Sequence, residues 1–88
     1  MSTQIVLVVK TLTGSEYEIT INEFGTIRTL RDIISQKEEV EPDQVRLVHK
    51  YNELYDYPTD HDLYPNTLES YDIKNNDKIH IVLRLNGC

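Results

Sequence analysis

The first 21 residues carry two different hydrophobic patterns on either side of a turn, and this contrast constrains the fold most strongly. Residues 4–10 (QIVLVVK) form an apolar segment rich in β-branched side chains, which is typical of a strand. Gly14 follows in a turn, where the lack of a Cβ permits a positive φ. Tyr17, Ile19 and Ile21 then alternate with polar residues, which indicates a strand with one solvent-facing side. The pattern therefore predicts a β-hairpin with an apolar face that needs a cover.

A helical pattern follows the hairpin and supplies that cover. Thr26 is placed as an N-cap, and the helix is predicted to end near Glu39, before Pro42. The apolar residues that recur at helical spacing are Ile27, Leu30, Ile33 and Ile34. We therefore predict one amphipathic helix that packs on the hairpin.

Two further stretches, residues 44–49 and 78–85, alternate with a period of two and are predicted as strands. A short strand is predicted at residues 52–54 and a single helical turn at residues 67–70. The side chains assigned to the apolar face are Val45, Leu47, Ile79 and Ile81, and those assigned to the opposite face are Arg46, Val48, His80, Val82 and Arg84. A mixed sheet with one main helix across one face is a β-grasp arrangement of the α+β class.

The size and charge of the chain exclude several classes of function. Residues 1–88 are expected to form one small domain, which leaves little room for a deep pocket. The formal net charge of −6 disfavours nucleic acid and anionic membranes as partners. No nucleophile, base and orienting residue occur at a recognisable spacing, so we expect no enzyme activity, no cofactor and no metal site. The single cysteine and the short apolar runs favour a cytoplasmic or nuclear protein.

Several motifs resemble the ubiquitin family, in the same order and nearly in register. They are residues 10–14 (KTLTG), 42–44 (PDQ), Arg46-Leu47, Thr67-Leu68, Tyr71, Ile73 and residues 80–85 (HIVLRL). The resemblance covers almost the whole chain and requires a short N-terminal extension and an insertion at about residues 55–66. It implies a β-grasp fold and a role as a protein modifier or as a modifier-like binding module.

The resemblance also implies a protein-binding patch on the face of the sheet that points away from the helix. Val48 and Val82 lie on this face by the parity of their strands, together with Arg46 and His80. In the family, the residues that match Leu12, Val48, His80 and Val82 form the main surface docked by receptors. We expect a small apolar patch with a basic rim, although single exposed apolar residues are also ordinary on protein surfaces.

The segment after the last strand is the second candidate for function. It is predicted to be a flexible tail that consists of Arg84, Leu85, Asn86, Gly87 and Cys88. In the family, the carboxylate that ends this tail is activated by an enzyme as an acyl-adenylate and then as a thioester. Arg84 matches the position by which ubiquitin's activating enzyme distinguishes it from its relatives. Activating and conjugating enzymes, or ubiquitin-binding proteins, are therefore the expected partners.

Cys88 is where the tail departs most clearly from the family, whose last three residues are Arg-Gly-Gly. Here Asn86 and Cys88 flank the one retained glycine, Gly87. Cys88 is interpreted as a natural residue that disables or redirects conjugation, as an engineered thiol, or as a residue removed by processing. We expect a monomer, and an exposed Cys88 thiol would permit a disulfide dimer under oxidising conditions.

The insertion is the most individual part of the chain. Tyr55, Tyr57 and Tyr64 are predicted either to contact a partner or to form a local cluster. The nearby acidic residues and histidine match no cation-binding spacing, so we interpret them as a solvated loop. The histidines, which are His49, His61 and His80, are expected to be ordinary surface residues.

Two functional hypotheses follow. In the first, the chain is a ubiquitin-like modifier whose carboxyl terminus is joined to a lysine, which Arg84 and Gly87 favour. In the second, it is a binding module or mimic that presents the patch without being conjugated, which Asn86 and Cys88 favour.

Overall fold

The computed structural model describes residues 3–55 and 66–84, and in this part of the chain five strands and one α-helix surround one core. The strands are β1 (Gln4–Lys10), β2 (Glu16–Asn22), β3 (Val45–His49), β4 (Asn52–Leu54) and β5 (Lys78–Leu83), and the helix is α1 (Ile27–Glu38). Short 3₁₀ helices at Pro42–Gln44 and Glu69–Tyr71 connect them. The predicted β-grasp arrangement is confirmed.

The sheet has the order β2-β1-β5-β3-β4, so the first and last long strands lie side by side at its centre. β1 pairs with β2 in antiparallel fashion and with β5 in parallel fashion, while β3 pairs in antiparallel fashion with both β5 and β4. A parallel neighbour requires a long crossover, and the stretch that contains α1 provides it. This connection places the helix across one face of the sheet.

The helix is defined by its two ends and by its apolar stripe. The Thr26 hydroxyl accepts a hydrogen bond from the Thr29 N–H at 3.2 Å, as predicted for an N-cap. Glu39 adopts a left-handed conformation with a φ of 58° and ends the helix. The stripe packs against alternate residues of the sheet in a core whose fully buried side chains include Leu7, Val9, Ile27, Leu30, Ile34, Val45, Leu47, Leu54, Leu68 and Ile79.

Several predicted boundaries shift for identifiable reasons. β3 begins at Val45 rather than at residue 44, because the capping box of Glu41 and Gln44 closes a 3₁₀ turn first. β5 ends at Leu83, and Arg84 still donates its backbone N–H to the Gln44 carbonyl at 2.6 Å. The prediction of a flexible tail is therefore corrected at its first residue, and residues 85–88 lie outside the described part of the chain.

Within residues 3–55 and 66–84, no helix combines the length and the apolar character that crossing a membrane would require.

The N-cap hydrogen bond makes a testable contribution to stability. Thr26→Ala removes the acceptor for the Thr29 N–H, and we expect the free energy of unfolding to fall by about 1 kcal/mol. Urea denaturation followed by circular dichroism measures this change. Arg28→Ala, which alters an exposed position in the same helix, serves as the matched control. Equal effects of the two substitutions would contradict a capping role for Thr26.

Candidate interaction surface

The pairing of β3 with β5 brings the predicted patch residues together. Arg46 is directly opposite Val82, and Val48 is directly opposite His80, so the four side chains share the face that points away from α1. Their strand neighbour Leu47 is fully buried on the other side. The parity predicted from the sequence is therefore confirmed for this ladder, which we call the β3–β5 face.

The apolar centre of the β3–β5 face is shallow. Val48 and Val82 are half-buried, whereas His80 and Arg46 are exposed. An apolar patch that consists of two half-buried valines fits a transient contact rather than a permanent interface, because obligate interfaces bury much larger apolar areas.

The charge at the rim of this face differs from the prediction. The Arg46 guanidinium donates two hydrogen bonds to Glu53 on β4, from Nε to Oε2 at 3.0 Å and from Nη2 to Oε1 at 2.7 Å. The hydrogen bonds from Arg46 hold the pKa of Glu53 below its usual range, despite the opposing effect of partial burial. The basic rim is thus neutralised at Arg46, because Glu53, which is directly opposite Val48, reaches the guanidinium diagonally across the β3–β4 pair.

Leu12 lines a separate groove that includes none of the four residues of the β3–β5 face. Its side chain is 79 % exposed and lines a groove of about 440 Å³ with Ile81 and Leu83 of β5. Tyr17 forms another wall of this groove and donates its hydroxyl to Glu38 at 2.7 Å. Burial, reinforced by the nearby carboxylate, raises the pKa of Tyr17.

The turn between β3 and β4 extends the β3–β5 face with an aromatic side chain. Lys50 and Tyr51 have φ values of 50° and 71°, a left-handed pair that suits a two-residue hairpin but usually favours Asn and Gly. Such conformations cost of order 1–3 kcal/mol at non-glycine residues. Tyr51 is fully exposed, and it borders a cleft of about 540 Å³ that includes Val48 and His80.

His49 corrects the prediction that the histidines are surface residues. Its side chain is buried, and its Nε2–H donates to the Asp77 carboxylate at 2.9 Å. Asp77 also accepts the Lys74 N–H at 2.9 Å. The signal was present in the sequence, because His49 continues the alternation of Val45 and Leu47 into the core. His80 is exposed as expected, and His61 lies outside the described residues.

The Asp77 carboxylate joins the loop before β5 to His49, which lies on the buried side of β3. Burial alone would raise its pKa, but the Lys74 N–H and His49 hold the pKa of Asp77 below its usual range. A lowered pKa in the folded state stabilises the fold above the pKa of the unfolded state, and the contribution is lost as the pH falls through the folded value.

The base of the insertion is ordered through Tyr55. Its backbone N–H donates to the Tyr71 hydroxyl at 3.2 Å, and its carbonyl accepts a hydrogen bond from the Asn66 side chain. Tyr55 therefore belongs to a local cluster. The other two tyrosines of the predicted partner loop, Tyr57 and Tyr64, lie outside the described residues, as do the tail positions Leu85, Asn86, Gly87 and Cys88.

Among residues 3–55 and 66–84, no group of three metal-ligating side chains is close enough together to hold an ion. Phe24 is an exposed aromatic side chain that no sequence pattern marked as an interaction candidate. The available signal was its position between the predicted strand that ends near Ile21 and the N-cap at Thr26.

The Asp77 pair generates a prediction about pH. Asp77→Asn should lower stability most above about pH 4, where an unfolded aspartate is ionised, and the difference from the native sequence should shrink as the pH falls further. Urea denaturation at a series of pH values between 7 and 2 measures it. Asp32→Asn, on the exposed side of α1, controls for the loss of one negative charge. A difference that is constant across this pH range would be inconsistent with the lowered pKa.

Comparison with known proteins agrees with this architecture. The model of the ubiquitin family matches residues 7–86. Ubiquitin-like protein 1 of Schizosaccharomyces pombe is 30 % identical over 79 residues, which cover 90 % of this chain and 91 % of that protein. Ubiquitin-like protein NEDD8 of Dictyostelium discoideum is 32 % identical over 79 residues, which cover 90 % of this chain and 92 % of that protein. The extent of these matches, together with the mixed five-stranded sheet and its crossing helix, shows that the chain belongs to the ubiquitin family.

Proposed function

We propose that this protein is a ubiquitin-like modifier that is attached through its tail and recognised through the β3–β5 face. The observation that carries the proposal is that both features belong to one strand: β5 contributes His80 and Val82 to the face and then leads directly into the tail. A receptor on the face and an enzyme on the tail would therefore contact successive parts of the same strand and the segment that follows it.

The tail would supply the chemistry and the enzymes of the pathway would supply the catalysis. The carboxylate of the tail would attack the α-phosphate of ATP and release pyrophosphate, and a cysteine thiolate of the activating enzyme would then displace AMP to form a thioester. Arg84 supports this assignment because it is exposed at the point where the strand ends. The domain itself would act as a tag and not as an enzyme, with the cytoplasm or nucleus as its proposed location.

The β3–β5 face would bind helical or zinc-containing receptors of the ubiquitin pathway. The half-buried pair Val48 and Val82 would provide the apolar contact, and His80 would provide a polar one at its edge. The groove beside Leu12 would offer a separate apolar contact, because its β5 residues, Ile81 and Leu83, alternate with those of the β3–β5 face. Because Arg46 is already bound to Glu53, acidic receptors would gain less from it than from a free guanidinium.

A second candidate function is a ubiquitin-like module that binds without being conjugated. Cys88 favours it, because a Cβ and a sulfur stand where the family has its last glycine and would fit poorly in a narrow enzyme channel. Asn75 argues against the joining of several copies of this protein into a chain through this position. It stands where the family has a linkage lysine, and its Oδ1 instead accepts the Val6 N–H at 2.8 Å. This position holds β1 in place and offers no amine.

Activation of the tail separates the two functions. The native chain is incubated with ubiquitin-activating enzyme and ATP, and a modifier is expected to give an adduct on the enzyme's cysteine that thiol reductants remove. Cys88→Gly is the matched variant, and Arg84→Leu removes the cation at the start of the tail. An adduct with Cys88→Gly but none with the native chain would identify the unmodified sequence as the non-conjugated module. An adduct that Arg84→Leu forms equally well would argue against recognition through Arg84.

Recognition through the β3–β5 face is tested by substituting its centre. Val48→Lys should weaken the binding of a ubiquitin-binding helix at least tenfold, a loss of about 1.4 kcal/mol, because it places a charge in the apolar contact. Thr20→Lys adds the same charge to an exposed position on β2 and should leave the affinity unchanged. Isothermal titration calorimetry measures both. Equal affinities for the two variants would remove this face from the proposal.

A further inference from the structure

Phe24 lies in the loop between β2 and α1, and its side chain is 66 % exposed. It borders a cleft of about 290 Å³ that shares no residue with the β3–β5 face. The cleft lies where the start of β1, the end of β2 and the segment before β5 meet. We call it the Phe24 cleft.

The turn that carries Phe24 is held in one conformation. The Phe24 N–H donates to the side-chain oxygen of Asn22 at 2.8 Å, and the Gly25 N–H donates to the Asn22 carbonyl, also at 2.8 Å. The Glu23 N–H donates to the Thr3 carbonyl at 2.9 Å. The aromatic ring is therefore presented on a tight, hydrogen-bonded turn, which lowers the entropy cost of binding to it.

The opposite wall of the cleft is equally well supported. Asp72 has a φ of 58° and donates its N–H to the Glu69 carbonyl at 3.0 Å. Two residues after Ile73, the Asn75 side chain accepts the Val6 N–H, and the next residue donates its N–H to the Val6 carbonyl at 2.6 Å. This wall is thereby fastened to β1.

The floor of the cleft is apolar and continuous with the core. Ile5 and Ile73 are 7 % and 5 % exposed, and they form the floor beside the exposed ring of Phe24. The volume of about 290 Å³ suits one or two apolar side chains and is too small for a folded element. The fitting occupant is therefore a short segment of a partner with an apolar anchor.

The rim of the cleft is acidic. Its carboxylates belong to Glu23, Glu69 and Asp72, and its one ammonium group belongs to Lys74, which lies 3.5 Å from Asp72. In the part of the chain that the structure describes, no cation lies within ion-pair distance of Glu23 or Glu69. Two carboxylates are thus left to attract positive charge on a partner.

Charge also argues against two occupants that the protein could itself supply to the cleft, namely its own insertion and a second copy of the chain. The chain's own insertion, residues 56–65, contains three aspartates and neither lysine nor arginine, so it would bring like charges to the rim. A second copy carries the same net charge of −6. A basic partner meets no such repulsion.

We propose that the Phe24 cleft is a docking site for a basic segment of another protein. An apolar side chain of that segment packs between Phe24 and Ile73, while arginine or lysine side chains on either side of it pair with Glu23 and Glu69. This contact is independent of the tail and of the β3–β5 face, so one molecule could bind a basic partner and a receptor at the same time.

The test is an NMR titration of the full ¹⁵N-labelled chain with two hexapeptides. One has a leucine-phenylalanine pair flanked on each side by two arginines, and the other has the same pair flanked by glutamates. We expect the arginine peptide alone to shift the amides of Phe24, Asp72 and Ile73. Phe24→Ala and Glu69→Lys should each weaken its binding at least fivefold, whereas Leu12→Ala, which removes an exposed apolar side chain elsewhere, should not.

Five results would overturn the proposal. Four of them are the absence of shifts at the cleft up to millimolar peptide, equal binding of the two peptides, unchanged affinity in both Phe24→Ala and Glu69→Lys, and contacts between the Phe24 ring and residues 56–65 in the free chain. Shifts that depend on protein concentration without peptide would assign the cleft to self-association and overturn it as well. Substitutions on the β3–β5 face affect none of these readouts, so this proposal and the proposed function fail separately.

Discussion

The parallel pairing of β1 with β5 is the contact on which the rest of the structure depends. It joins strands that are far apart in the sequence, and a parallel pair requires a crossover that can pass over one face of the sheet. The helix lies in that crossover and buries Leu30 and Ile34 against the sheet. Once β5 is held at the centre, its two sides acquire different roles, because Ile79 faces the helix and His80 faces the solvent.

Polar side chains hold the segment that delivers β5 to this position. Asn75 binds the backbone of Val6, and Asp77 joins the buried His49 to the backbone of Lys74. The bond to Val6 ties this segment to β1, and the bond to His49 ties it to β3 and satisfies a buried polar side chain. The segment before β5 is therefore fastened to both strands that flank β5, and it forms one wall of the Phe24 cleft.

The β3–β5 face and the Phe24 cleft differ in their local charge, which the net charge of the chain does not reveal. On the β3–β5 face, Glu53 neutralises Arg46, so the contact depends mainly on the two valines and His80. Around the Phe24 cleft, the carboxylates of Glu23 and Glu69 remain available to a partner. The same acidic chain thus presents one apolar patch whose Arg46 is already paired and one negatively charged cleft, and these features suit partners of different chemistry.

The sequence by itself determined the elements, their faces and the family, because hydrophobic periodicity is a local property and the family motifs are collinear with it. The N-cap at Thr26 and the parity of Val48 and Val82 follow from spacing alone. Only the tertiary structure decided which polar groups meet across the sheet, namely the pairing of Arg46 with Glu53 and of His49 with Asp77. It also formed the Phe24 cleft from three separated segments. These contacts depend on strand order and on the path of the crossover, and no local pattern encodes the distance between residues that only the fold brings together.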